Sequence, residues 1–485
     1  MVNSVKRQPV KNAPASAENA VDITGDWQAP QRAIDGLVSQ LASNTRRRLL
    51  VGYSGGLDSH VLLHCLSQTV RQALTNPDTK TATNPAANPV VQSAAGEFQL
   101  LAVHVNHNLQ PESHAWAQHC RQTATLLGIE CVVHDVQHND EFTQELQSSG
   151  VEAAARRARF AAFAEQMAID DCLLLAQHAD DQAETFLLQA LRGSGPDGLA
   201  AMSAQRDFAP GLLIRPFLEC RRIDLEAYAR HFALHSIEDP SNTDERFDRN
   251  FIRRQIMPRL AQRWPAANRT LSRTTANCAA ASSVINDLAA DDLARIAGSE
   301  QVTEYLGVDA LLSLSTERRF NVLRCWIRSK QLSMPPLSLL QQLEQELLQN
   351  PASSGKAGTR GYEFRRYRDR LYLLHPSLQP CEAFAYRWPQ GLHELDIPEI
   401  GLSLSRDDFA AQGLVLPKDA RIDIRSRRGG EQLAVGQPVI HKSVKKLMQE
   451  AALPPWQRAR VPLIFVNDEL AAVWKIAVAS GYRQG

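Results

Sequence analysis

SGGLDS, residues 54–59, follows the apolar run LLVGY (Leu49–Tyr53) and precedes VLLHCL (Val61–Leu66). A short apolar run bearing Val and Tyr reads as a strand buried in a parallel sheet, and His60 to Leu66 has helical spacing. Two glycines in the connection let the backbone approach a ligand closely, and the start of the following helix offers free N–H groups to an anion. The stretch therefore reads as a phosphate cradle. It is not the lysine-bearing kind, because no G-x-x-x-x-G-K-[ST] occurs in the chain. The plainer alternative is a glycine turn in which Ser54 or Ser59 merely caps the helix.

At 485 residues the chain exceeds one ordinary core, and two or three domains are expected. Lys+Arg (53) equals Asp+Glu (53), so there is no global nucleic-acid signal and any basic surface must be local. Eight cysteines are scattered without a C-x-x-C pair. That argues against a zinc ribbon, an iron–sulfur cluster or a disulfide framework, and fits a reducing cytoplasm. The opening MVNSVKRQPVKNAPASAENA has no apolar core, and no 18-residue apolar stretch follows. A cytoplasmic protein with no membrane association is expected.

Outward from the loop, apolar runs alternate with helical patterns. The expected strands are 49–53, 98–105, 130–136, 171–177 and 212–216, with helices over 59–73, 113–127, 152–167 and 182–191. Such alternation predicts an α/β fold, a doubly wound, mostly parallel sheet. Residues 1–45 read as a flexible extension, 46–244 as the catalytic domain and 75–96 as a surface insertion within it. A helical domain is expected over 245–355, then a hairpin turning near Arg368–Asp369, and a small α+β domain over 385–485.

In a doubly wound sheet, ligands bind beyond the carboxyl ends of the strands. Polar residues gather there in SGGLDS (54–59), HVNHNLQPE (104–112), AQHADDQAET (176–185) and RPFLECRR (215–222), followed by IEDPSNTDERFDRNFIRR (237–254). Asp181 and Glu184 are three apart on the first turn of a helix and share a face, so both can grip one cation, a metal or a substrate ammonium. One of these acids acting only as a helix cap is the alternative. In VEAAARRARF (151–160), Arg156 and Arg159 lie on one side of a helix with Glu152 a turn before Arg156. Arg246, Arg249, Arg253 and Arg254 suit phosphate contact, or else form a solvated basic face.

As a set, these motifs resemble the tRNA(Ile)-lysidine synthetases, within the PP-loop ATP pyrophosphatases. The matching stretches are SGGLDS, HVNH (104–107), E-x-x-x-R-x-x-R-F (152–160), QHADDQAETFLLQALRGSG (177–195), IRP (214–216) and EDPSNTDERFDRNFIR (238–253), continuing through RSRRGGE (425–431) and KSVKKLMQEAALPPWQRARVPLIF (442–465). The resemblance implies that ATP adenylates the C2 oxygen of the wobble cytidine in the isoleucine tRNA with a CAU anticodon, releasing pyrophosphate. The ε-amine of free L-lysine then displaces AMP. ATP and Mg²⁺ are the implied cofactors and the tRNA and lysine the implied partners; no protein partner is predicted. Residue by residue, Ser54, Gly55, Gly56, Leu57 and Ser59 would hold the pyrophosphate, with His104 and His178 also placed at the nucleotide. Asp58 is assigned to Mg²⁺. Asp181 and Glu184 would bind the lysine ammonium and help deprotonate it, Arg156 would balance charge near the α-phosphate, and Arg249 and Arg253 would position the lysine carboxylate or the tRNA. Two departures from the family pattern stand out: Asn108-Leu109-Gln110 in place of Gly-Leu-Arg, and Phe160 in place of tyrosine.

Three rivals fit less well. A tRNA cytidine thiolase needs paired cysteines, a glutamine-hydrolysing synthetase needs an amidotransferase domain, and a nucleotide sensor has no use for Asp181 with Glu184. The C-terminal span holding Arg421, Arg425, Arg427, Arg428, Lys442, Lys445 and Lys446 reads as a phosphate-gripping tRNA module, its three lysines on one helical face.

Overall fold

Leu49, Leu50 and Val51 are all buried, but they point into two different cores, as a strand covered on both faces requires. The computed structural model describes residues 25–41, 47–75, 90–93, 96–300, 303–350, 355–359, 361–374, 382–389, 392–417 and 420–483. It divides into two compact units, Met1–Val284 and Ile285–Gly485.

The first unit opens with α1 (Ala29–Leu41), β1 (Arg47–Gly52), α2 (Leu57–Thr75), β2 (Val90–Ser93), β3 (Gly96–Asn106), α3 (Ser113–Leu127) and β4 (Glu130–Asp135). It continues through α4 (Asp140–Ser149), α5 (Val151–Gln166), β5 (Cys172–Leu174), α6 (Ala179–Leu191), α7 (Pro196–Leu199), β6 (Gln205–Phe208), β7 (Gly211–Ile214) and α8 (Arg222–His231). After these come α9 (Asp248–Phe251), a π-helical turn (Ile252–Ile256), α10 (Met257–Arg263) and α11 (Ala267–Ile296). The parallel strands lie in the order β4-β3-β1-β5-β7; β2 pairs antiparallel with β3, and β6 with β7. On one face Leu49, Val51, Leu100, Ala102 and Leu174 meet Ile34 of α1, Leu62 of α2, Ala124 of α3 and Tyr228 of α8. On the other, Leu50, Val103, Leu173 and Leu213 meet Phe163 and Met167 at α5 and its C-terminal end. The chain builds outward from β1 on one side and then crosses to β5 on the other. This puts the switch in strand order, and its crevice, at the carboxyl ends of β1 and β5.

Two expected segments differ from their reading. The extension placed over 1–45 includes α1, whose Ile34 is fully buried against the sheet; the polar flanks masked a single amphipathic helix. Of the 75–96 insertion, Val90–Ser93 adds an edge strand to β3, and 76–89 lie outside the described residues.

In the second unit the region expected to form a helical domain also carries strands. Ala297–Glu300 and Thr303–Gly307 join Lys356–Gly358, Glu363–Tyr367 and Arg370–Leu374 in a five-stranded antiparallel sheet. Helices Thr316–Ser329 and Leu337–Leu343 cover it with Leu323, Trp326, Ile327 and Leu340 against Phe364 and Leu371. AGSE and TEYLG are too short and too polar for periodicity to separate them from helix ends. The hairpin turns at Arg368–Asp369 as expected, with Arg368 at φ +55°.

A second five-stranded sheet follows: Ala385–Arg387, Ile422–Arg425, Leu463–Val466, Glu469–Val473 and Ala477–Val478. The basic span beside it is less free than its sequence suggests. Arg421 pairs with Asp468, Arg425 reaches Asp468 at 3.5 Å, Arg427 lies 3.7 Å from Glu431, and Lys442 lies 3.0 Å from Glu450. Lys442 sits in the strand Ile440–Ser443, and Ser443 caps the helix Val444–Glu450. It therefore shares no helical face with Lys445 and Lys446. Arg428, Lys445 and Lys446 remain exposed without an acidic partner among the described residues.

Deep in this unit Arg319 and Glu344, 7% and 8% exposed, meet at 2.5 Å, and Arg319 also donates to Leu314 O at 2.7 Å. Removing one partner leaves the other charge buried alone, a cost of about 3–5 kcal/mol. Glu344→Ala is expected to lower the urea midpoint of this unit accordingly, whereas Arg319→Met with Glu344→Leu recovers most of the loss. A single variant as stable as the parent would contradict this.

Candidate active site

The loop after β1 is shaped by two glycines of different kinds. Gly55 has φ +84°, and a Cβ there would lie 2.7 Å from Ile237 Cδ1 and 3.0 Å from Cys120 Sγ. The fold itself demands glycine at this position. At Gly56 a Cβ would find only ordinary contacts, Ser54 Oγ at 3.5 Å and Ile237 O at 3.9 Å. No neighbour in the protein forbids a side chain there, so the open face is available to a ligand.

The loop serines bind one another. Ser54 Oγ and Ser59 Oγ are 3.1 Å apart, Ser59 Oγ donates to Gly56 O at 3.0 Å, and Gly56 N donates to Ser54 Oγ at 3.3 Å. Behind them, Leu57, Asp58 and Ser59 form the first turn of α2, whose N–H groups have no intrahelical acceptor. His104 is buried with Nδ1 2.9 Å from Tyr53 O, and burial lowers its pKa. The contact ties β3 to the residue that follows β1, at the strand end where the nucleotide contact of His104 is expected.

Beyond β5 the charges converge. His178 N donates to Asp181 Oδ2 at 3.0 Å at the start of α6, which fixes Asp181 on the first turn. Asp181 Oδ1 accepts from Arg249 Nη2 (2.8 Å) and Arg253 Nη2 (2.9 Å). Glu184 accepts from Arg249 Nε at 2.9 Å and from Arg253 Nε at 2.6 Å. Two carboxylates and two guanidiniums thus form a closed, neutral box, with both acids buried. Arg253 reaches in from the π-helical turn Ile252–Ile256, an irregularity of the sort that often serves to re-aim functional side chains. The basic run is therefore not a free phosphate-binding face: Arg246 pairs with Asp244 and Arg254 with Glu245.

The imidazole of His178 sits among three carboxylates, Asp181 at 3.5 Å, Asp180 at 3.6 Å and Asp58 at 3.8 Å. Burial pushes its pKa down, but Asp180, Asp181 and Asp58 outweigh that and hold it above the ordinary value. Asp181 is pushed up by burial, yet His178, Arg249 and Arg253 hold its carboxyl below the usual range. Asp58 goes the other way: burial raises it more than His178 and Arg222 lower it.

Arg222 was not singled out from the sequence. Its Nη1 meets both oxygens of Asp58, at 2.5 and 2.6 Å, and its backbone N donates to Asp180 Oδ2 at 2.8 Å. The only signal was the second arginine of RPFLECRR, at the start of α8. Arg156 stands apart from the box, its guanidinium 5.0 Å from the centroid of Phe160, although Arg249 is near enough to depress its pKa after burial has done so. The structure therefore brings together Asp58, His178, Asp181, Glu184, Arg249 and Arg253, with the loop residues 54–59 joined to them through Asp58.

Among the described residues no three His, Cys, Asp or Glu gather as a metal cage. Mg²⁺, which commonly takes one or two carboxylates and draws its remaining ligands from phosphates and water, would find one at Asp58, on the first turn of α2 and here paired with Arg222.

Gly55→Ala is expected to destabilise the first unit, since it adds a left-handed alanine, about 1 kcal/mol, to the clash with Ile237. Gly56→Ala is expected to melt like the parent but to bind ATP at least tenfold more weakly. Parental ATP affinity in folded Gly56→Ala would mean that the open face is not a phosphate site.

Comparison with known proteins places this geometry. Residues 29–260 match the PP-loop domain family, 306–372 the TilS substrate binding domain and 422–485 the TilS substrate C-terminal domain. The chain is 37% identical over 434 residues to the tRNA(Ile)-lysidine synthase of Legionella pneumophila (strain Lens), covering 89% of this chain and 92% of the relative. It is 39% identical over 454 residues to that of Serratia proteamaculans (strain 568), covering 91% and 94%, and 38% identical over 451 residues to that of Alkalilimnicola ehrlichii, covering 89% and 92%. With a nucleotide loop at one strand end, a carboxylate–arginine box at the next and this similarity along nearly its whole length, the chain belongs to the tRNA(Ile)-lysidine synthase family.

Proposed function

We propose that the protein joins lysine to C2 of the wobble cytidine in the CAU-anticodon isoleucine tRNA, consuming ATP and releasing pyrophosphate and AMP. One observation carries the reading: the phosphate loop after β1 and the acid box after β5 meet at the switch in strand order, linked through Asp58, His178 and Asp181. Two half-reactions that share one intermediate need their two sites within this reach.

In the first half, the cytidine C2 oxygen attacks the α-phosphorus, the bond to the β-phosphate oxygen breaks, and pyrophosphate leaves. The α2 N–H groups and the open face of Gly56 receive the departing phosphates. Asp58 would hold Mg²⁺, which supplies charge neutralisation to the triphosphate, and Arg222 releases this carboxylate as it does so. Arg156 adds positive charge near the reacting phosphorus.

In the second half, the lysine amine attacks C2, the C2–O bond breaks, AMP leaves and the nitrogen loses a proton. Only the neutral amine is a nucleophile. Asp181 and Glu184 receive the ammonium and take part in removing its proton. The box supplies their counter-charge beforehand: Arg249 and Arg253 stand in as counter-ions until the substrate cation arrives, and they help hold the Asp181 carboxyl below its usual range. The displaced guanidiniums are then positioned for the lysine carboxylate or a tRNA phosphate. The second unit, with Arg428, Lys445 and Lys446 exposed, serves as the tRNA-gripping module. The reaction belongs to the cytoplasm, and among the described residues no helix is long and apolar enough to cross a membrane.

The direct test is mass analysis of nucleosides from the CAU-anticodon tRNA after incubation with the protein, ATP and lysine. A lysine-sized increase on cytidine is expected, and unmodified cytidine under conditions where a known family member works would refute the reading. Asp181→Asn is expected to spare ATP binding and to lower kcat/KM for lysine about a hundredfold, because an amide neither neutralises an ammonium nor accepts its proton. Unchanged lysine kinetics would remove Asp181 from this role.

A further inference from the structure

Arg206 differs from the other arginines around the site. Arg222, Arg249 and Arg253 are taken by carboxylates, and Arg215 donates to Gln177 Oε1 at 2.9 Å and Ser203 O at 2.8 Å. Arg206 is exposed, and its side chain makes no hydrogen bond or ion pair among the described residues. Its guanidinium is nonetheless held, with its carbon 5.8 Å from the centroid of Phe160 and 5.6 Å from that of Phe208. The two rings brace each other edge to face, 5.5 Å apart at 80°.

Like charge accumulates here, and among the described residues no acid is paired with Arg206. Arg206 and Arg156 lie close enough to Arg215 that, after burial, they help hold its pKa down to about 10. Glu152 acts on Arg156 from a turn away, and of the two cations that also act on it, Arg249 is already spent on the box while Arg206 is not. Cations fixed on aromatic faces and left uncompensated form a surface suited to a planar, anionic ligand.

Position narrows the ligand. β6 runs antiparallel to β7 with Gln205 opposite Ile214, so Arg206 lies at the same end of the sheet as the site. Its strand is also the third from β1, about 14 Å at ordinary strand spacing, so Arg206 stands to one side of the loop and not over it. Single-stranded RNA is read by stacking on aromatic rings and guanidinium planes together with phosphate contacts.

We infer that Arg206, carried on Phe160 and Phe208, holds a nucleotide flanking the one that reacts, through its base face and its phosphate; this rests on the function proposed above. The reacting cytidine must leave its stack to reach the crevice, and a fixed neighbour keeps the loop open while it does.

The test is binding of an anticodon stem-loop RNA carrying CAU to the full chain, by fluorescence anisotropy over a range of salt, with ATP affinity measured in parallel. Arg206→Ala is expected to weaken RNA binding about tenfold and to reduce the magnitude of the salt slope by about 0.7, the share of one single-strand phosphate. ATP affinity should stay within about twofold. Arg206→Lys is expected to keep the slope but regain only part of the affinity, because an ammonium does not stack. Arg206→Ala with parental RNA affinity and slope overturns the inference, as does a variant that loses ATP affinity alone. A parent protein that fails to bind the stem-loop at all overturns instead the function beneath it.

Discussion

Two guanidiniums shared between two buried carboxylates hold this catalytic unit in its working form. Asp181 and Glu184 are fixed early, on the first turn of the helix after β5, while Arg249 and Arg253 arrive about 65 residues later in the chain. Neither pair is tenable alone. A buried carboxylate without a counter-charge would protonate or destabilise the fold, and removing one member of such a network costs about 3–5 kcal/mol. The box therefore ties the helical segment after residue 247 to the end of the sheet, and the same bonds set the charge of the proposed lysine site.

The carboxylates and loop hydroxyls of the site are already partnered within the protein. Asp58 is held by Arg222, the acids of α6 by Arg249 and Arg253, and the loop hydroxyls by each other. Binding then becomes an exchange of partners, not the filling of a charged void, and a ligand of the wrong charge has nothing to displace. This arrangement favours specificity over raw affinity. His178, set among three acids and held above its ordinary pKa, is the group through which the phosphate end and the box feel one another's charge.

Much of the sheet could be read from the chain because its strands are buried on both faces and its helices on one. LLVGY is a continuous apolar run and FQLLAVHV a nearly continuous one, broken only by Gln99 and His104, and the helix expected over 113–127 is the helix observed. The misses have physical causes. Val90–Ser93 is an edge strand of four residues, too short for a period to show, Gln205–Phe208 is another whose exposed residues erase the pattern, and α1 is one amphipathic helix inside a polar tract. Site residues were legible where spacing alone conveys geometry, as for Asp181 and Glu184 at i and i+3. Arg222 was not, because its meeting with Asp58 joins residues 164 apart and depends on how α8 docks against α2. The basic runs misled for the opposite reason: their charge was counted, but their acidic partners, such as Glu184 for Arg253 and Asp468 for Arg421, came from elsewhere in the chain.

The central claim is that Arg249 and Arg253 stand in for the substrate cation. A crystal structure of the protein with lysine and a non-hydrolysable ATP analogue tests it most directly. The account predicts the ε-ammonium within hydrogen-bond distance of both Asp181 and Glu184, with at least one of the two arginines withdrawn from them. Lysine bound elsewhere, with all four side chains joined as they are here, would contradict it.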